Sequence, residues 1–359
     1  MTVSKPLAAL PWRQAVVTAV GLPLVIALAV LAYAWPAARI APRHVPVGVV
    51  ATGAAARGVT EGLGHAAPGG FDVHRYPGQA AARTAIEHRD VYGAFVVGAG
   101  GVTVLQASAA GPTVAQLLGT AGGELASGLH TGVRTVDVVP VSAHDPRGLV
   151  FSSALLPLTI CGVLIALVVT MSGTVRPGRG RLLALLTASA AGGLAVYLVA
   201  QGFLGALPHD HLATWAGLAL TVLAVAAPTA GLVTLLGRAG LGLGAVTMVF
   251  LGNPFSGSTS APELLPAPVG DLGRYLPPGA GANLLRGTAY FGGHGSGGPL
   301  AVLAVWSMLG LAAVAAGRVT PADHLVAEGG KVAEGGKDLS RPAPALRSVA
   351  GPAGRAPRR

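Results

Sequence analysis

The sequence predicts a multi-pass α-helical membrane protein with six transmembrane helices and a small extracytoplasmic α+β domain between the first and second helices. Three observations carry this. Only 11% of the 359 residues are charged, against roughly 25% in a soluble domain. Five apolar runs lack Asp, Glu, Lys and Arg and approach or exceed the ~20 residues a bilayer crossing needs. The formal net charge of +10 gathers in a subset of the segments between the runs.

Residues 1–14 read as a short cytoplasmic N-terminus and 15–35 as the first transmembrane helix. Ala32-Tyr33-Ala34 resembles a signal-peptidase site, but the apolar run before it is longer than a signal core, so a retained span is expected. Residues 36–148 have soluble patterning. Val45–Val50, Val91–Val97, Val102–Gln106 and Val133–Val139 are rich in β-branched residues and read as strands. Gly100-Gly101 reads as a hairpin turn. Thr113–Leu125 and Gly78–Asp90 read as helices, the former with Val114, Leu117, Leu118, Ala121 and Leu125 on one face.

A five-helix transmembrane domain follows over 149–317, with spans at 149–171, 182–204, 212–236, 237–255 and 299–317 and an outer loop at 256–298. The 237–255 span is the weakest element: its apolar core is short and Arg238 must snorkel, so it either crosses or re-enters. Residues 318–359 read as a disordered, basic cytoplasmic tail, including the tandem repeat VAEGGKVAEGGK. With both termini inside, the cytoplasmic segments hold 14 of the 24 bases and four of the 14 acids, so the whole excess charge lies on one face. Topology and anionic lipid headgroups then account for the charge, and no nucleic-acid partner is implied.

Chemical motifs are sparse. Asp338 follows Lys337 where a phosphate-binding loop needs Ser or Thr, and no strand precedes it. GxSxG and HExxH are missing, so no enzyme activity and no cofactor are expected. The histidines at 44, 65, 74, 88, 130 and 144 lack metal-ligand spacing, and His209 and His211 have no third ligand nearby; no metal is expected. Cys161 reads as apolar filler. Gln201 is the candidate polar residue within a span, read as making an interhelical hydrogen bond. Ala188/Gly192 and Ser189/Gly193 are small pairs suited to close helix packing.

The stretch GNPFSGSTSAPELLPAPVG ends an apolar run with helix breakers, and LPPGAGANLLRGTAYF follows it. Such backbone is expected where water satisfies it, at the outer surface, with Leu264, Leu265, Leu272, Tyr275, Leu276, Leu284 and Leu285 in short amphipathic pieces lying in the interface.

One span, an outer α+β domain and five further spans resemble the type-2 ABC exporter permeases, and within them the YhgE/Pip-like actinobacterial integral membrane proteins. VPVGVV, DVYGAFVV and the breaker-rich stretch carry the resemblance. The matching positions are Gly252, Asn253, Pro254, Ser260 to Glu263, Leu276 to Ala280 and Arg286. The resemblance implies a permease-like subunit in the bacterial plasma membrane. It would contact membrane lipids, form a homodimer, pair with a separate cytoplasmic ATPase subunit and export a hydrophobic or amphipathic substrate. It marks Asn253, Pro254, Glu263, Pro277, Pro278 and Arg286 as candidate functional or structural residues. The alternative is a non-transporting membrane protein whose outer domain binds a surface partner or envelope component.

Overall fold

The computed structural model describes residues 12–207 and 210–317. The expected tail at 318–359, His209 and most of the expected N-terminal segment 1–14 lie outside the described residues.

Helix α1 (Trp12–Ala38) is apolar on all sides over Ala19–Ala38, which suits lipid rather than a protein core. Leu22, Leu24, Val25, Ile26 and Leu28 along it are exposed. Near its C-terminal end the Tyr33 hydroxyl donates to the Val249 carbonyl at 3.0 Å.

An α/β unit follows: β1 (Val45–Val50), α2 (Gly53–Ala66), β2 (Phe71–Arg75), α3 (Gln79–Glu87), β3 (Gly93–Gly98), β4 (Gly101–Gln106), α4 (Pro112–Gly128) and β5 (Val133–Asp137). The strands form one sheet in the order β2-β1-β3-β4-β5. β1 runs parallel to β2 and β3, β3 and β4 form an antiparallel hairpin, and β5 is parallel to β4. Because Gly98 pairs with Gly101, the hairpin turn is Ala99-Gly100, one residue before the expected position.

Strand alternation sorts the two sheet faces. Val45, Val47, Val49, Phe95, Val102 and Val104 are buried with Val59 and Leu63 of α2 and Val114 and Leu118 of α4. Ala94 and Leu105 face the other way, onto Ala82 and Ile86 of α3 and onto Phe151, Ala289, Tyr290 and Phe291 of the helical bundle. The sheet is therefore seated on the bundle by its α3 face.

Two elements were not anticipated. Helix α2 buries Ala56, Val59 and Leu63, a helical spacing, but four glycines dilute its propensity. Strand β2 is a half-exposed edge strand in which only Phe71 and Val73 signal the pleat.

The bundle comprises α5 (Leu149–Met171), α6 (Arg179–Tyr197, prolonged by π-helical turns at Leu198–Phe203), α7 (His211–Leu236), α8 (Arg238–Ala245, prolonged by π-helical turns at Val246–Gly252), α9 (Val269–Arg274), α10 (Pro277–Tyr290) and α11 (Gly297–Ala316). Five helices, α1, α5, α6 with its extension, α7 and α11, are long and apolar enough to cross a membrane. The chain is thus mostly helical, with several apolar helices and one small sheet. The segment expected to span at 237–255 is a shorter apolar helix, Arg238–Gly252. At 1.5 Å per residue it reaches about 22 Å, short of the ~30 Å hydrocarbon core.

Helix α7 is the hub, and small residues set its neighbours' approach. Gly193 of α6 rests on the Ala219 backbone and Gly162 of α5 on Val225. Gly231 of α7 faces Ala313, and Gly310 of α11 lies against Ala227 and Pro228. Gly193 thus makes a helix contact of the kind its spacing suggested.

Helices α8 and α10 lie end to end along α7, both antiparallel to it. Gly240 touches the Leu232 backbone and Gly244 touches Thr229. A Cβ on Gly252 would come within 2.8 Å of Pro278, at the start of α10. Gly281 then touches Thr221, while Leu284 and Leu285 reach Gly217. Asn253-Pro254 stops the first helix, and Pro277-Pro278 starts the second in the first-turn position where a missing N–H is harmless. Residues 253–276 are an excursion between them. Leu284 and Leu285 are buried against α7, so α10 is a packed helix and not a piece lying flat in an interface.

Candidate functional site

The excursion is stitched to the α/β unit. The backbone N–H of Ala41 donates to the Leu264 carbonyl at 3.1 Å and that of Arg43 to Glu263 at 3.0 Å. The Thr113 hydroxyl donates to the Thr259 carbonyl at 3.2 Å. Its return limb is held by α11, where Trp306 Nε1 donates to the Tyr275 carbonyl at 2.9 Å. Three polar groupings result.

The first centres on Glu263. Tyr92 donates to its Oε2 at 2.7 Å, and Arg274 stands 3.9 Å from its Oε1 and 3.2 Å from Asp271. Arg89 donates to the Asn283 carbonyl at 3.0 Å and to Asn283 Oδ1 at 3.2 Å, with its guanidinium 5.4 Å from the Phe291 ring centroid. Arg89 has φ 66°, the left-handed position that usually ends a helix with glycine, and the Asp90 N–H closes α3 on the Ala85 carbonyl. Burial pushes the Tyr92 phenol well above its usual range, and the Glu263 charge adds to this, so Tyr92 stays a neutral donor. Burial lowers the Arg89 guanidinium, partly opposed by Tyr92 and Glu263. Arg89, Tyr92, Glu263, Arg274 and Asn283 line a cleft of about 380 Å³ that extends to Pro299 and Val302 of α11.

The second centres on Arg286, only 3% exposed. It donates to the Ser258 carbonyl at 2.6 Å and lies 5.0 Å from the Phe151 ring centroid. Burying a charge is costly unless it is paired. The ion pairs among the described residues involve His74–Asp72, Arg274–Glu263 and Arg274–Asp271, none of them Arg286. Arg286 borders a cavity of about 170 Å³ lined also by Ser108, Thr113, Arg147, Ser258 and Tyr290. Beside it Asp145, 5% exposed, caps α5 by accepting the Leu149 and Val150 N–H groups, both at 2.9 Å.

The third is a cleft of about 330 Å³ between α1, α5 and the start of the excursion. Tyr33, Ile40 and Leu156 give it apolar walls, and Asn253 and Pro254 lie at its base. Ser152, Ser258 and Thr259 line both this cleft and the Arg286 cavity, so the two abut.

The sequence-marked residues therefore divide. Asn253 and Pro254 border the third grouping, Glu263 anchors the first and Arg286 the second. Pro277 and Pro278 are buried at the helix break. Gln201 stands apart: its Oε1 accepts the Leu207 N–H at 2.7 Å and closes the turn after α6, where an interhelical bond was expected. The candidates missed are Arg89, Tyr92, Arg147 and Asn283. Their one local signal is Arg89 at a helix end where glycine is usual; their partners lie far away in sequence. His88 is exposed and stacks on His294 with ring centroids 4.3 Å apart.

No family model matches the chain, and neither does a curated protein or a solved structure. The functional reading rests on this geometry and on the family resemblance of the sequence.

Among the described residues no group of three or more His, Cys, Asp or Glu is arranged to hold a metal ion. What the arrangement offers is a polar junction at one end of an apolar bundle, entered sideways between α1 and α5 and roofed by the α/β unit.

Proposed function

We propose that this chain is a permease-like subunit of an ABC-type exporter, moving a hydrophobic or amphipathic molecule across a bacterial plasma membrane with a separate ATPase. The observation that carries this reading is the interrupted helix pair α8 and α10 beside the lateral cleft at Tyr33 and Asn253. In a bilayer, backbone that leaves a helix must be buried in protein or line a cavity. Residues 253–265 meet that condition, whereas the return limb with Asp271, Leu272, Arg274 and Tyr275 is exposed, and interrupted helices of this kind build substrate sites in transporters.

Stacked end to end, α8 and α10 complete a sixth crossing. Both termini then face the cytoplasm, the α/β unit lies outside and the excess of bases lies inside. The connection between α5 and α6 contains no helix, so an ATPase would seat on the inner ends of α5 to α8. The exposed flank of α1 suits lipid or a second copy of the chain.

Mild-detergent affinity purification followed by mass spectrometry tests the proposal. A stoichiometric cytoplasmic ATPase is expected. Intact protein without one, alongside a control permease that retains its own, removes the exporter reading. A second reading would then take over, a non-transporting protein whose α/β unit binds a surface partner. It is favoured by an apolar groove of about 560 Å³ between α2 and α4, lined by Val59, Leu63, Leu125 and Leu129.

A further inference from the structure

We propose that the Arg286 cavity binds the anionic head of an amphiphile whose apolar part lies in the adjoining cleft between α1 and α5. The inference rests on the permease-like reading for its membrane orientation. Binding is measured without an ATPase or transport, so the two can fail separately.

Charge is the first argument. Arg286 forms the buried wall of the cavity and Arg147 is exposed at its edge, while no Asp or Glu is among the lining residues. Asp145, close in sequence to Arg147, has each carboxylate oxygen engaged by an α5 amide. The Glu263 cleft differs: its cations face Glu263 and Asp271. Among the described residues no carboxylate lies within ion-pair distance of the Arg286 guanidinium, and the Glu263 charge that acts on it from farther away is already held by Tyr92 and Arg274, so the cavity leaves room for an anion from outside.

The remaining lining suits the same ligand. Ser108 and Ser258 contribute hydroxyls that can donate to anionic oxygens, while the Thr113, Ser152 and Tyr290 hydroxyls donate to backbone carbonyls and make up the polar remainder of the wall. Helix α4 starts at the cavity with Pro112 and Thr113, and its preceding residue, Gly111, supplies no side-chain cap. Its positive end adds to the field of the two arginines.

The neighbouring cleft makes the ligand amphipathic. Beyond the shared Ser152, Ser258 and Thr259, it has the apolar Tyr33, Pro36, Ile40, Leu156 and Leu265 together with the uncharged Ser153, Asn253 and Ser260, and no charged residue lines it. Along α1 and α5 it adjoins exposed apolar surface, including Leu28, Leu31 and Ile160. A phosphate or carboxylate head thus fits one side of the hydroxyl wall and an acyl chain the other.

The test uses the full chain purified in neutral detergent, with equilibrium binding of short-chain phosphatidylglycerol, phosphatidylcholine of the same chain length, and inorganic phosphate. Saturable binding of phosphatidylglycerol is expected, with phosphatidylcholine at least about tenfold weaker. Arg147→Gln should weaken phosphatidylglycerol about tenfold, the scale of one charge-assisted hydrogen bond. Arg57→Gln, on the exposed face of α2, should leave it unchanged. Arg286→Lys should weaken it further; if that variant misfolds, the exposed Arg147 decides. Equal affinity for the two lipids, or an Arg147→Gln variant that behaves like Arg57→Gln, overturns the proposal. Inorganic phosphate binding as tightly as phosphatidylglycerol overturns the amphiphile and leaves a free-anion site.

Discussion

The Tyr92 hydroxyl meets Glu263 Oε2 at 2.7 Å across 171 positions of sequence. This bond fastens the α/β unit to the excursion between α8 and α10. A hydrogen bond to a charged group contributes about 1.5–3 kcal/mol, so Tyr92→Phe should lower stability by an amount in that range. The bond also has a pH signature. The folded phenol is held above its unfolded pKa of about 10, so its contribution is complete below that pH and is lost as pH rises beyond it. Thermal unfolding in detergent near neutrality and above pH ~10 should show Tyr92→Phe losing part of the alkaline destabilisation of the wild type. An identical pH slope in the two proteins contradicts the assignment.

Asp145 offers a cleaner local test. Its two oxygens accept the first amides of α5, so Asp145→Ala should destabilise by about 1–2 kcal/mol. Asp145→Asn should recover only part of that, because its single amide oxygen can accept one of the two N–H groups while its NH2 cannot accept the other. Unfolding midpoints of the two variants compared with wild type check the order; an Asn variant as weak as the Ala variant points to charge rather than capping.

Much of this fold was legible because the main signals are one-dimensional. The apolar run at 149–171 became a helix with those same limits, and β1 coincides with Val45–Val50. The breaker at Asn253-Pro254 marked a true helix end. What lay beyond it was harder to read. LPPGAGANLLRGTAY has too little hydrophobicity to announce a buried helix, and α10 is buried because its Gly and Ala residues let α7 come close. Periodicity reports which face is greasy, whereas close backbone approach depends on what is small, and small residues look like loop. Glu263 and Arg286 were flagged by motif, but their partners Tyr92 and Ser258 are tertiary facts. Gln201 lies in an apolar helix, as its surroundings predict, but its Oε1 bonds within the following turn, because a short-range turn bond competes with an interhelical one and no pattern distinguishes them.

Close packing on α7 predicts an asymmetric pair of variants on α11. A Cβ on Gly310 would run into the backbone of Ala227 and Pro228, neither of which can rotate away. Gly310→Ala should therefore separate α11 from α7 and cost about 1–3 kcal/mol, the usual scale of overpacking. At Gly298 a Cβ would meet nothing within 4 Å, so Gly298→Ala should be neutral or mildly stabilising through helix propensity. Unfolding in detergent measures both, and equal effects would show that α11 does not seat on α7 through Gly310.

The interrupted crossing can be tested by the side of the membrane each limb reaches. Cys161, the one cysteine, is first replaced by Ala. Single cysteines are then placed at Arg176, between α5 and α6, and at Asp271 in the excursion, both exposed. From position 176 the chain runs out through α6, back through α7 and out again along α8, so the two sites lie on opposite faces only if the short helix completes its passage. A membrane-impermeant maleimide should label Asp271→Cys in intact cells and Arg176→Cys only after permeabilisation. A third cysteine at Leu243, half exposed on α8, should resist the reagent in both conditions, since a thiol in lipid does not ionise. If positions 176 and 271 label from the same side, α8 turns back before the far surface and the six-crossing topology falls. The lateral cleft beside Asn253 would then open to the cytoplasmic leaflet.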